Sequence, residues 1–283
     1  MINNRYDFVI LFDVENGNPN GDPDAGNSPR VDAETGYGFI TDVCIKRKIR
    51  NYVELIKEGE AGYNILIKPD KALNEKFTEA YEAENLPTKQ KGKNKDDVKK
   101  ARDYICKNYF DVRTFGAVMS TGDDPCGIVR GPVQINFARS LSPININDIT
   151  ITRQAITKKD DNKVNEMGRK SIIPYALYRA EGYISAAQAN KVTDMTEEDV
   201  DLLWEAIINM FENDHSAARG KMCTRKLYIF KHNSILGNSP SHILFDKISV
   251  EVKDDVIIPR KFSDYNIVVD ENMPEGVSMV SKL

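Results

Sequence analysis

Asn16-x-Asn18-x-Asn20-Gly21-Asp22-x-Asp24 places oxygen-bearing side chains at every second position around a turn, the spacing that opens a calcium loop. The pattern then fails, because its twelfth position is Asn27 where a bidentate Glu is needed and most of the ligands are neutral amides. No metal is assigned to it. Two other uses fit the same residues: a loop whose amides and Asn side chains grip a phosphate or a neighbouring protein, and a loop that braces the end of a strand. Acid–base chemistry on a phosphodiester wants a His titrating near neutrality beside the scissile group. His215, His232 and His242 are the three histidines, and none stands in a recognisable constellation. Ser120 and Ser216 lack a triad context, and Gly116 to Gly122 lacks the lysine of a phosphate loop. The chain is expected not to be an enzyme and to need no cofactor.

Cations at useful spacings remain. Lys46, Arg47 and Arg50 share one side of a helical stretch and are spaced to reach successive phosphates; Arg113 stands near the aromatic Phe115; Arg169 and Lys170 are adjacent at the foot of a polar segment. Arg113 has a second reading as a helix-end salt bridge to Asp111, and Phe115 a second reading as core. Net charge is −4, which argues against a protein that coats nucleic acid through overall charge. Positive charge is nevertheless concentrated. Thr41 to Val53 has four basic residues against one acidic, Leu86 to Lys100 six against two, and Arg153 to Arg179 seven against three, whereas Asp194 to Asp214 has eight acidic residues and no Lys or Arg. Such a distribution suits an anion held along a defined path, and each run also fits a solvated face.

These residues need elements to position them. From Tyr6 to Val14 both faces are apolar, the pattern of a buried central strand, and Asn16 to Pro23 after it is a shaped loop of Asn, Gly and Pro. With Thr41 or Asp42 as N-cap, Ile45, Ile49, Tyr52, Val53 and Ile56 give a helix that packs on the sheet. Glu60 to Pro125 reads as a mainly helical insertion. It contains a short strand at Tyr63 to Lys68, helices marked by Phe77 and Tyr81 and by Ala101 and Ile105, and a flexible Lys-rich loop from Pro87 to Asp97. Val133, Ile135 and Phe137 alternate as a strand, and Thr152 to Pro174 reads as a projecting hairpin with its tip near Asp160 to Lys163. Arg179 to Ala187 reads as a strand, Thr196 starts a helix carrying Leu203, Ile207, Met210 and Phe211, and Lys226 to Lys231 is again a strand. Further strands are expected at Ile243 to Val252 and, as a short pair, at Val256 to Val269. Without the insertions the order is βαββαβ, an α+β chain with a ferredoxin-like or RRM-like core.

At 283 residues with 41% apolar content the chain supports a sizeable core. Cys44, Cys106, Cys126 and Cys223 have no paired spacing and are expected to be free thiols. Met1-Ile2-Asn3-Asn4 has no signal-peptide character and no stretch is apolar enough to span a membrane, so the expected location is the cytoplasm, with no membrane partner.

The runs Tyr6-Asp7-Phe8-Val9, Asn16 to Asn27, Pro29-Arg30, Thr41-Asp42-Val43-Cys44 and Lys46 to Tyr52 closely resemble the type I-C CRISPR Cascade backbone subunit, a member of the CRISPR-associated "seven" family of the RAMP superfamily. Asp111-Val112-Arg113-x-Phe115-Gly116, Arg130 to Gln134, Gly168-Arg169-Lys170-Ser171, His215 to Gly220 and Leu236-Gly237-Asn238 extend the resemblance to the whole chain. It implies a right-hand shape: an RRM-like palm (1–59, 126–151 and 175–283), a helical fingers insertion (60–125) and a β-hairpin thumb (152–174). It also implies copies polymerising head to tail along a CRISPR RNA, partners among the other Cascade subunits (cap, large and small), and target DNA met through guide pairing. The candidate RNA-binding set is Asn18, Asn20, Arg30, Lys46, Arg47, Arg50, Arg113, Phe115, Arg169 and Lys170, with no catalytic and no metal residues. The alternative is a metal-dependent ribonuclease like the related type III backbone subunits, with Asp22, Asp24 or Asp32 as the acidic loop residue.

Overall fold

The computed structural model describes residues 1–89, 93–153 and 166–283. The centre of the loop expected around Lys91 and the hairpin tip expected at Asp160 to Lys163 lie outside the described residues. Strand Tyr6–Gly17 is the axis of an eight-stranded sheet and is buried along almost all its length. Its two neighbours, Glu166–Ile184 and Lys221–His232, both run antiparallel to it. The order from one edge to the other is Val277–Ser281, Lys221–His232, Tyr6–Gly17, Glu166–Ile184, Ala138–Pro143 and Tyr37–Ile40, with Val133–Ile135 and Asn147–Arg153 also pairing to the long Glu166–Ile184 strand.

Alternation along the central strand divides the core. Phe8, Ile10, Phe12 and Val14 point to one face, where helix Asp42–Ile56 brings Ile45, Ile49 and Val53 and helix Glu197–Asn209 brings Val200, Leu203, Trp204 and Ile207. Thr41 caps the first of these helices by accepting a hydrogen bond from the Cys44 amide, and Thr196 with Asp199 forms a capping box at the start of the second. Val9 and Leu11 point to the other face, covered by Leu244 and Phe245 of the short helix Ser241–Phe245 and by Ile248 and Tyr265 of a two-stranded ribbon. The ribbon pairs Ile248–Val252 with Tyr265–Val269, so Ile243 belongs to a helix and Val256 to no strand, unlike the pattern read from the sequence.

Beyond the Pro125 boundary read from the sequence, the hairpin partner Gly127–Arg130 packs with the insertion, whose core is Leu66, Phe77, Tyr81, Ala101, Ile105, Met119, Cys126 and Val129. Helices Leu73–Ala83, Lys95–Asn108 and Phe110–Phe115 build it together with a hairpin of Gly116–Met119 and Gly127–Arg130. Tyr63 to Lys68 is not a strand; only Asn64 forms an isolated bridge, to Tyr109. All four cysteines are free, and burial pushes the Cys106 and Cys126 thiols up to about 12.

One long strand replaces two expected pieces. Glu166 to Ile172 pairs with Asn147–Arg153 as the arm of a hairpin, and from Ile173 onward the same strand pairs with the central one. Pro174 lies at this handover between the paired residues Ile173 and Tyr175, where its missing N–H breaks no ladder bond. A proline that reads as a strand terminator is therefore a point where one continuous strand changes partner.

Candidate nucleic-acid interface

The loop after the central strand is fixed by close backbone approach. A Cβ on Gly17 would stand 1.8 Å from the Arg219 carbonyl oxygen, and one on Gly220, which has φ +63°, would stand 2.4 Å from the Asn16 carbonyl oxygen. The Asn18 amide donates to the Ala218 carbonyl at 2.7 Å, so two loops 200 residues apart in sequence cross in direct contact. Asn18 Nδ2 donates to the Asn27 carbonyl at 2.6 Å, closing the loop on itself. Asn20 Oδ1 accepts from the Thr41 amide at 3.0 Å and from Thr41 Oγ1 at 3.1 Å, which ties the loop to the cap of the first helix. Asn20 thus braces.

Beside this loop lies the foot of the hairpin. Ser28 Oγ is 3.3 Å from Ser171 Oγ, Ser171 Oγ donates to Asp148 Oδ1 at 2.5 Å, and Lys170 Nζ donates to the Ala217 carbonyl at 2.6 Å. Between them is a cleft of about 310 Å³ walled by Asn18, Asn27, Ser28, Asp148, Arg169 and Lys170. Arg169 is exposed, Lys170 half-buried, and Asn18 Oδ1 is buried without a hydrogen-bond partner among the described residues. Such a cleft offers cationic donors for a phosphate. Arg30 closes the loop, 3.4 Å from Asp22, while Asp22 also accepts from the Asp24 amide at 3.2 Å. Asp32 is held below the usual carboxylate range, chiefly by the Glu34 amide that donates to it at 3.0 Å.

Three residues expected on this surface are interior. Arg50 is buried and its Nε donates to Asp111 Oδ2 at 2.9 Å, with its guanidinium 5.3 Å from the centre of the Phe115 ring. Asp111 also accepts from the Leu66 and Ile67 amides at 2.8 and 3.1 Å. Arg113 does not pair with Asp111; it makes a bidentate pair with Asp199 at 2.9 and 2.8 Å, and its Nη1 donates to the Gly62 carbonyl at 2.6 Å. Phe115 is a core residue. Both arginines fasten the insertion to the two sheet-packing helices, Arg50 through its Nε on Asp111 and Arg113 through Asp199 and the Gly62 carbonyl, so both are held in structural ion pairs.

Lys46 and Arg47 remain on the first helix. Lys46 Nζ is 2.8 Å from Asp42 one turn earlier and 5.7 Å from the centre of the Phe115 ring. Arg47 is half-buried at an open groove with Asn51, Glu54 and Lys68; burial, and then the neighbouring Arg50, lowers its affinity for the proton. Sequence reasoning missed Arg219 and Lys48, which both pair with Asp214 and hold the loop that touches Asn18. It also missed Asp148 and Ser171, whose small polar side chains carry no periodic signal. His232 is buried, with Nε2 2.8 Å from Asp7 Oδ2 and Nδ1 accepting from the Asn238 amide, a structural role.

Similarity to known proteins bears on this geometry. A family model described as CRISPR-associated protein Cas7 matches residues 4–270. A curated relative from Haloferax volcanii, "CRISPR-associated protein Cas7", is 24% identical over 73% of this chain, and the chain spans 65% of that relative's length. Among solved structures, a chain of a "CRISPR RNA-guided surveillance complex, pre-nicking" superposes with a TM-score of 0.53 at 12% identity, covering 86% of each chain. A chain of a second "CRISPR RNA-guided surveillance complex" gives 0.48, also at 12% identity, covering 86% of this chain and 79% of that one. With the family model matched over nearly the whole length, the chain belongs to the CRISPR-associated Cas7 family.

Proposed function

We propose that the chain is a non-catalytic, CRISPR RNA-binding backbone subunit of a type I-C Cascade complex, working in the cytoplasm. Copies polymerise head to tail along the guide and present it for pairing with target DNA, beside the cap, large and small subunits. The sheet order, with Lys221–His232, Tyr6–Gly17, Glu166–Ile184 and Ala138–Pro143 as neighbours and two helices on one face, supports reading the core as a ferredoxin-like palm. The helical insertion serves as fingers and the hairpin of Asn147–Arg153 and Glu166–Ile172 as thumb.

The observation that carries this reading is the cleft at the hairpin foot. It joins Arg169 and Lys170 where the loop and hairpin meet, which suits a ribose-phosphate chain bound without regard to base. Sequence recognition then belongs to the guide. Among the acidic loop residues of the ribonuclease alternative, Asp22 is engaged by Arg30 and Asp32 by the Glu34 amide, which favours structural roles for both. Sequencing the RNA that co-purifies with the chain tests the proposal. Short transcripts flanked by repeat sequence are expected, and their absence would overturn it. Cleavage of paired RNA with Mg²⁺ that disappears on Asp22→Ala, Asp24→Ala or Asp32→Ala would establish the alternative.

A further inference from the structure

The face of the sheet opposite the two helices is covered over its centre and bare at one corner. Register puts Ile40 opposite Ala138 and Phe39 opposite Arg139. Ile40 and Ala138 belong to the core under the helices, so Phe39 and Arg139 lie side by side on the other face. Phe137 joins them, its ring parallel to that of Phe39 within 2° and with centroids 6.3 Å apart. Phe137 is 53% exposed, and the Arg139 side chain is 69% exposed, its one carboxylate contact among the described residues being Asp32 at 3.9 Å. Next to Arg139 stands Arg179, which is already used: its guanidinium donates to the Phe245 and Ile248 carbonyls at 2.7 and 2.5 Å and holds the covering layer in place. Cover ends there.

We propose that Phe39, Phe137 and Arg139 form a stacking platform for a base of a single-stranded nucleic acid. The inference rests on reading the chain as a nucleic-acid-binding subunit, and adds to the cationic cleft a second, apolar kind of contact. Parallel rings present faces of one orientation against which a flat base can stack, and an exposed guanidinium in register with Phe39 supplies charge for the adjoining phosphate. The patch adjoins the loop that borders the candidate interface, the Phe39 amide donating to the Arg30 carbonyl at 3.1 Å. Base–aromatic stacking tolerates any sequence, as a backbone subunit requires.

The test uses the full chain with single-stranded RNA and single-stranded DNA, each carrying 5-iodouracil, which photocrosslinks to rings stacked on it. Crosslinks on Phe39 or Phe137 are expected, and the strand type that gives them distinguishes a guide from a target source. Phe39→Ala/Phe137→Ala is expected to weaken binding by about 5- to 150-fold with no change in salt slope, whereas Phe39→Tyr/Phe137→Tyr retains affinity. Wild-type binding with no crosslink at these rings and no loss in the alanine variant would overturn the platform while leaving the guide-binding reading intact. If the wild-type chain bound neither strand, that reading would fall and the platform with it. An alanine variant that binds RNA normally but no longer assembles into multi-copy particles would make the patch a contact between copies instead.

Discussion

Replacing Arg113 by Ala separates a structural arginine from an RNA-binding one. The side chain donates to both oxygens of Asp199 and to the carbonyls of Gly62, Cys106 and Lys107. Its own exposure is 9%, and that of Asp199 is 1%. Truncation leaves the Asp199 carboxylate buried with the Thr196 amide, at 3.0 Å, as its remaining donor from the capping box. Removing one member of a buried pair costs about 3–5 kcal/mol. At about 2–4 °C per kcal/mol for a chain of this class, the melting midpoint should fall by roughly 6–20 °C. Arg113→Lys should recover only part of it, since one ammonium cannot reproduce a bidentate fork. Thermal denaturation by circular dichroism reads the midpoint, and RNA affinity against salt, measured well below both midpoints, reads the slope. An unchanged midpoint together with a slope reduced by about 0.7 would show Arg113 touching a phosphate and refute the assignment.

The opposite pattern is expected of Arg169→Ala/Lys170→Ala: stability within about 0.5 kcal/mol per site and a salt slope smaller by about 1.4, read by the same two assays. Gly17→Ala forces the crossing of two loops apart, so midpoint and RNA affinity should drop together, by about 1–3 kcal/mol in stability, and a variant that melts normally would show the crossing to be loose. Cys106 and Cys126, with their thiols raised by burial, should resist iodoacetamide at pH 8 in the folded chain and react after unfolding in urea, as followed by mass spectrometry. Burial raises the Asp124 carboxyl, but bonds from Lys93, Thr78 and the Lys89 amide outweigh it and hold the group below its ordinary 3.8. Its contribution is therefore present above pH 3.8 and lost as pH falls through the folded value, so the stability gap between the parent and Asp124→Asn should be full at pH 7 and shrink below pH 4, measured by urea midpoints.

Local pattern was enough for the central strand, the two sheet-packing helices and their caps, because a stripe at Ile45, Ile49 and Val53 or a Thr before an acidic turn carries its information within a few residues. Loop chemistry at Asn16 to Pro23 was also legible, since the positive φ at Asn16 belongs to a residue type that tolerates it. Which arginines face solvent was not. Arg50 meets Asp111 across 61 residues and Arg113 meets Asp199 across 86, and spacing within a helix says nothing about a partner so far away. Burial decides whether a cation is bound to the protein itself or left for a ligand, and only the packing of the insertion against the two helices sets that burial. The cleft at Asn18, Asp148 and Lys170 likewise exists because three distant segments converge, and Pro174 continues a strand because its partner changes there.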